Sequence, residues 1–219
     1  MDLFLIILFV TLAYLIGAIP FGFIFGKLHG IDLRTVGSGN IGATNCGRVL
    51  GKKYAVLTYI LDALKGAIFV ILFRYQIIDN KYCLVSPMLY GLVATIGATF
   101  PIYLKFKGGK SVSCGSGAVF AYCPILIPIL LLVWLIVKKI SKLVSVASIF
   151  TAVFAAITIL LISLLSGDFD MEYIINGEII HPYNYWFVIF STIIIVVIIV
   201  RHRSNIVNIF KGEEKPINY

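Results

Sequence analysis

Apolar runs long enough to cross a bilayer recur along almost the whole chain, at residues 3–25, 54–73, 87–104, 143–165 and 185–200. A helix of about 20 apolar residues spans roughly 30 Å of hydrocarbon, where each backbone amide has to be satisfied within its own segment. The runs therefore predict an all-α integral membrane protein. Its 60% hydrophobic and 13% charged residues, and a mean hydropathy of +1.03, leave too little polar surface for a water-soluble domain. There are too many runs for a signal peptide to account for them. Met1-Asp2, followed directly by Leu3-Phe4-Leu5, also lacks the basic start of a leader, so the first run is expected to stay as the first span.

Residues 111–137 break the pattern with Pro124 and Pro128. One kinked helix there would put Lys138, Lys139 and Lys142 opposite the earlier basic loops. Two short helices turning near Cys123-Pro124 return every basic cluster to one side, which is the arrangement that basic residues in short loops enforce on the cytoplasmic face. That reading places fifteen of the eighteen lysines and arginines with the loop 27–53, leaves Arg74 and Lys81 opposite, and puts Lys65 in the membrane. The expectation is a single domain over residues 1–219 with about seven transmembrane helices, two of them short, N-terminus outside and C-terminus cytoplasmic.

Asp62 and Lys65 lie three apart in the second run, on one helical face, and are expected to pair inward, the least costly way to keep both in hydrocarbon. The outer side should carry the acidic segment with Asp168, Asp170, Glu172 and Glu178, where residues 174–180 read as a hairpin turning at Asn176-Gly177. The net charge of +8 sits beside apolar spans and serves orientation and anionic head groups, not nucleic acid. Cys46, Cys83, Cys114 and Cys123 show neither CxxC spacing nor the density of a disulfide scaffold.

The polar stretch from Val36 to Arg48 stands out between two apolar segments. Gly37, Gly39 and Gly42 let the backbone turn its N–H groups toward an anion. Ser38, Asn40, Thr44 and Asn45 add short hydrogen-bonding side chains, and Arg48 adds a bidentate fork for phosphate. No Gly-Lys-Ser/Thr closes the stretch and no strand precedes it, so it is not a nucleotide-hydrolysing loop. A surface loop whose glycines merely reverse the chain remains the plain alternative. A second stretch, Lys107-Gly108-Gly109-Lys110, opens a short helix whose exposed N–H groups, dipole and two lysines suit a phosphate. In a third, His202 and Asn205 share a face if the last helix continues. His202 would move a proton, and Asn205 would orient a hydroxyl or polarise a carbonyl. His29 and His181 have no such company. All three stretches fall on the cytoplasmic side.

Together with Ile19-Pro20-Phe21-Gly22, Asp62-Ala63-Leu64-Lys65-Gly66 and Gly212-Glu213, these motifs resemble the PlsY family of bacterial glycerol-3-phosphate acyltransferases, in order over nearly the whole chain. The resemblance implies a multi-pass enzyme of the bacterial inner membrane with its active site toward the cytoplasm. It would move an acyl group from acyl phosphate to the 1-hydroxyl of glycerol 3-phosphate, giving lysophosphatidic acid for phospholipid synthesis.

By the same resemblance Ser38, His202 and Asn205 are the expected catalytic residues. Gly39, Asn40, Thr44, Asn45, Arg48, Lys107, Gly108, Gly109, Lys110 and Glu213 are expected to bind substrate. No metal or other cofactor is implied, because acyl phosphate is already activated. The implied partners are glycerol 3-phosphate, acyl phosphate, membrane lipids and the soluble enzyme that makes acyl phosphate. The chain departs from the family pattern at Ala98, where a histidine is expected, at Ser111 in place of glycine, at Ser113 and Cys114 in place of alanine and threonine, and at Asn208 in place of a basic residue. Other classes consistent with the residues are a transporter or binding protein for a phosphorylated metabolite, and a divergent, weakly active paralogue.

Overall fold

Helix α1 (Asp2–Gly17) stops short of Pro20, and α2 (Phe21–Leu28) leaves at an angle of 43°. Proline has no N–H to continue the ladder and disfavours helical geometry in the residue before it, so the first apolar run breaks there. These helices belong to a computed structural model that describes residues 2–165, 173–175, 178–180, 185–214 and 216. The glycine-rich stretch, expected as loop, is a loop only in its first half. From Ala43 it becomes α3 (Ala43–Leu50), and after Gly51 the chain enters α4 (Lys52–Arg74).

Helix α5 (Pro87–Thr99) starts under Ser86, whose Oγ accepts from the Met88 N–H, and ends before Pro101. The two short helices expected in the broken region are present as α6 (Val112–Tyr122) and α7 (Leu126–Ser141), separated at Cys123-Pro124-Ile125. Helix α8 (Val144–Leu165) follows. Strand β1 (Tyr173–Ile175) then pairs antiparallel with β2 (Glu178–Ile180), in a register that sets Ile175 opposite Glu178. The hairpin therefore forms as expected, while its Asn176-Gly177 turn and the acids Asp168, Asp170 and Glu172 lie outside the described residues. The last run is α9 (Tyr185–Arg201). It does not continue straight through His202, because the chain bends by 50° there into α10 (Arg203–Phe210).

Among the described residues three helices are long and apolar enough to cross a membrane, or up to five spans if each bent pair counts as one. Small residues set how closely they approach. Gly66 on α4 lies against the Cys114 carbonyl, and Gly117 on α6 lies against the Ala63 carbonyl, so neither position has room for a methyl group. Gly17 and Gly97 play the same part where α1 meets α5. Between the helices, Tyr122 stacks on Phe187 at 4.6 Å and Tyr90 on Phe73 at 4.5 Å. Large apolar side chains such as Leu3, Leu131, Leu164 and Val200 point outward, as lipid-facing positions do.

The expected intramembrane pair forms. Lys65 Nζ is 2.6 Å from Asp62 Oδ1 and donates at 2.7 Å to the Ile19 carbonyl, which the break between α1 and α2 leaves without a helical partner.

Candidate active site

Asn45 shapes the first stretch from beneath. Fully buried on α3, it accepts from the Ser38 N–H through Oδ1 at 2.8 Å. Its Nδ2 donates to the carbonyls of Leu33 and Val36, each at 3.1 Å. Gly37, at φ +63°, passes so close to that Oδ1 that a side chain there would collide with it. Asn40 Oδ1 accepts from the Gly42 N–H at 2.9 Å and closes the turn into α3. The loop thus lifts Ser38 toward open space, and its hydroxyl has no hydrogen-bond partner among the described residues. Arg48 lies one helical turn beyond Asn45 and is half-buried.

The second stretch is held from its outer side. Arg201, the last residue of α9, donates from Nη2 to the Gly108 carbonyl at 2.9 Å and from Nε to the Gly109 carbonyl at 3.2 Å. The Gly108 N–H donates to the Thr99 carbonyl at 3.2 Å, and the glycine fits against the end of α5 where a Cβ would meet the carbonyls of Ala98 and Thr99. Among the described residues nothing accepts from the N–H groups of Gly109 and Lys110. Burial and the neighbouring Arg48 and Arg201 push the Lys110 ammonium down to about 8, against the pull of Glu214.

His202 follows the end of α9 and is 3% exposed. Its Nδ1 lies 2.8 Å from the Ile198 carbonyl, which can only accept, so the proton sits on Nδ1 and Nε2 is left as an acceptor. Burial pushes the imidazole down to about 4 and keeps it neutral. Asn205 is oriented by a carboxylate. Its Nδ2 donates to Glu214 Oε1 at 2.6 Å, and Ser145 Oγ donates to the same oxygen at 2.7 Å. Asn205 Oδ1 is buried and without a hydrogen-bond partner among the described residues.

These pieces line one cavity of about 170 Å³, room for a small polar metabolite but not for a fatty chain as well. Ser38, Asn40, Thr44, Asn45, Arg48, Gly109, Lys110, His202 and Asn205 all reach it, as does Ala98. Four expected binding residues do not. Gly39, at φ +70°, makes an exposed turn, Lys107 points outward, and Gly108 packs on α5. Glu213 is exposed because Gly212, at φ +72°, turns the chain so that Glu214 faces in. Two adjacent glutamates gave the sequence no way to choose between them.

The sequence also gave Arg201, Ser145 and Trp134 no role. Arg201 stands beside His202 in the third motif with nothing in the spacing to give it a role, and Ser145 and Trp134 lie in apolar runs with no motif around them. Asp62 and Lys65, expected only as a buried pair, reach the cavity wall. Val144 and Ser145 at the start of α8 reach it too, so the junction of α7 and α8 lies at the same end of the molecule as the glycine-rich stretch. Among the described residues no group of His, Cys, Asp or Glu is arranged to hold a metal ion.

A sequence model of the family described as glycerol-3-phosphate acyltransferase matches residues 7–212. A glycerol-3-phosphate acyltransferase of Staphylococcus haemolyticus is 39% identical over 220 residues, covering 98% of this chain and 99% of that one. Two crystal structures of PlsY, an integral membrane glycerol 3-phosphate acyltransferase, share the fold. The glycerol 3-phosphate form superposes with a TM-score of 0.78 at 36% identity, covering 99% of this chain and 96% of that one. The lysophosphatidic acid form gives 0.77 at 34% identity, covering 97% and 95%.

Proposed function

The chain belongs to the glycerol-3-phosphate acyltransferase family and is a multi-pass membrane enzyme that transfers an acyl group to glycerol 3-phosphate; from that premise we propose that the donor is acyl phosphate and that the cavity above is the active site. The observation that carries the proposal is that one cavity sets an anion-binding side against a side of hydrogen-bond acceptors. Arg48, Lys110 and the N–H groups of Gly109 and Lys110, which no described residue accepts from, suit phosphate, which both substrates carry. His202 Nε2 and Asn205 Oδ1 suit the hydrogen of a hydroxyl, and Ser38 completes that side.

In the proposed reaction the 1-hydroxyl oxygen of glycerol 3-phosphate forms the new ester bond to the acyl carbon. The bond from that carbon to the phosphate oxygen breaks, and inorganic phosphate leaves. The hydroxyl proton passes by way of His202 to the departing phosphate, since a histidine held near 4 is too weak a base to keep it. Asn40, Thr44, Arg48 and the N–H groups of Gly109 and Lys110 line the acceptor's phosphate with the Lys110 ammonium, while Asn45 and Gly108 hold the loops in shape. The acyl chain, too long for the cavity, extends past Tyr59 and Trp134 toward lipid.

The cavity end faces the cytoplasm of the bacterial inner membrane in this reading, with the N-terminus outside and about seven crossings, because fifteen of the eighteen lysines and arginines fall on that side of the expected topology. There the soluble enzyme that makes acyl phosphate delivers its product.

The test offers purified protein glycerol 3-phosphate with acyl phosphate, acyl-CoA or acyl carrier protein in parallel. Lysophosphatidic acid should form with acyl phosphate alone, and product from the thioesters at an equal rate would remove acyl phosphate as the donor.

A further inference from the structure

We infer that Arg201 is a positioning residue for the phosphate site: by gripping the Gly108 and Gly109 carbonyls from outside, it turns the following two N–H groups into the cavity. This deepens the proposal above and rests on its assignment of Gly109 and Lys110 to phosphate. In a trans peptide the carbonyl and the next N–H point in opposite directions, and no cis bond is present here. Holding the Gly108 and Gly109 carbonyls at 2.9 and 3.2 Å on one side therefore sends the Gly109 and Lys110 N–H groups to the other. Two successive N–H groups on one side make a concave donor pair for an anion. Glycine has no side chain to select that conformation over others, so something outside the loop has to.

Arg201 does not serve as a phosphate ligand itself. Two of its three nitrogens are spent on carbonyl oxygens, its guanidinium lies against the Phe100 ring at 5.8 Å, and it is not part of the cavity wall. The next residue, His202, faces inward and is buried. One step of backbone at the end of α9 thus fixes both the donors that hold the phosphate and an acceptor for the hydroxyl.

The test is steady-state kinetics in glycerol 3-phosphate at saturating acyl phosphate, with the thermal unfolding midpoint followed in detergent. Arg201→Gln should raise KM for glycerol 3-phosphate about tenfold and change kcat by less than about threefold. Arg201→Lys, which keeps the charge but reaches only one carbonyl, should fall between, and it decides the matter if Arg201→Gln does not fold. Guanidinium ion added to Arg201→Ala should lower KM back toward the parent value, which a residue needed only for folding would not allow. A folded Arg201→Gln or Arg201→Lys with parental KM overturns the inference, as does a fall in kcat with KM unmoved. Lys110→Ala is the control for the underlying reading. If it too leaves KM unchanged, the phosphate is held elsewhere; if it raises KM while the Arg201 variants do not, only the role of Arg201 is lost.

Discussion

His202 and Asn205 each make one hydrogen bond that decides which atom is left for substrate. A backbone carbonyl holds the proton on His202 Nδ1, and a carboxylate takes the amide nitrogen of Asn205, so both leave an acceptor free. Residue spacing leaves Asn205 able either to orient a hydroxyl or to polarise a carbonyl; the Glu214 contact leaves Oδ1 as an acceptor, which suits the hydroxyl of the proposed reaction. Lys110 sets a limit at high pH. Its ammonium is held down to about 8, so the cation proposed to attract phosphate is present well below that value and is lost as pH rises through it. KM for glycerol 3-phosphate should therefore climb above about pH 8 with kcat less affected. Lys110→Arg should flatten the climb, because a guanidinium stays charged throughout. A parent KM constant to pH 9.5 would show that the charge on Lys110 does not hold the phosphate.

The element that shapes the site most is the broken first span. Pro20 ends α1, the freed Ile19 carbonyl is taken by Lys65, and Lys65 is neutralised by Asp62. From there α2 runs with Gly22 against the Ile41 carbonyl, so the break is tied to the glycine-rich loop by direct contact. Removing one partner of a buried pair leaves an unpaired charge, which costs about 3–5 kcal/mol, more than removing both. Lys65→Met should lower the unfolding midpoint in detergent clearly, and the double variant Asp62→Leu with Lys65→Met should recover part of the loss. Equal midpoints for the parent and the single variant would mean that the pair does not stabilise the fold.

Across the whole molecule, segments far apart in sequence meet in the cavity, among them the glycine-rich stretch, the loop before α6, the start of α8, and the bend after α9. They have to emerge at one end, which requires the chain to go out and return between residues 111 and 143 by way of α6 and α7. Single cysteines placed at Lys107, Ser141 and Ser204 of a cysteine-free protein should therefore react with a membrane-impermeant reagent from one side, and a cysteine at Asn80 from the other. Labelling of position 141 from the side of position 80 would overturn the paired reading of α6 and α7.

The sequence by itself determined the membrane class, the apolar runs, the turn at Cys123-Pro124, the pairing of Asp62 with Lys65, and the three polar stretches from which residues line the candidate site. Each of these is a local signal: run length against bilayer thickness, proline against helix, charge spacing on one face, glycine beside basic and short polar side chains. Tertiary structure alone decided that α3 begins inside the glycine-rich stretch, that Glu214 turns inward in place of Glu213, that Asn45 shapes the loop, and that Arg201 reaches back to Gly108 and Gly109 across more than ninety positions of sequence. Those choices come from backbone direction and from which polar groups remain unpaired once the helices pack. Residue spacing does not encode them, because the partners that decide them lie on other helices.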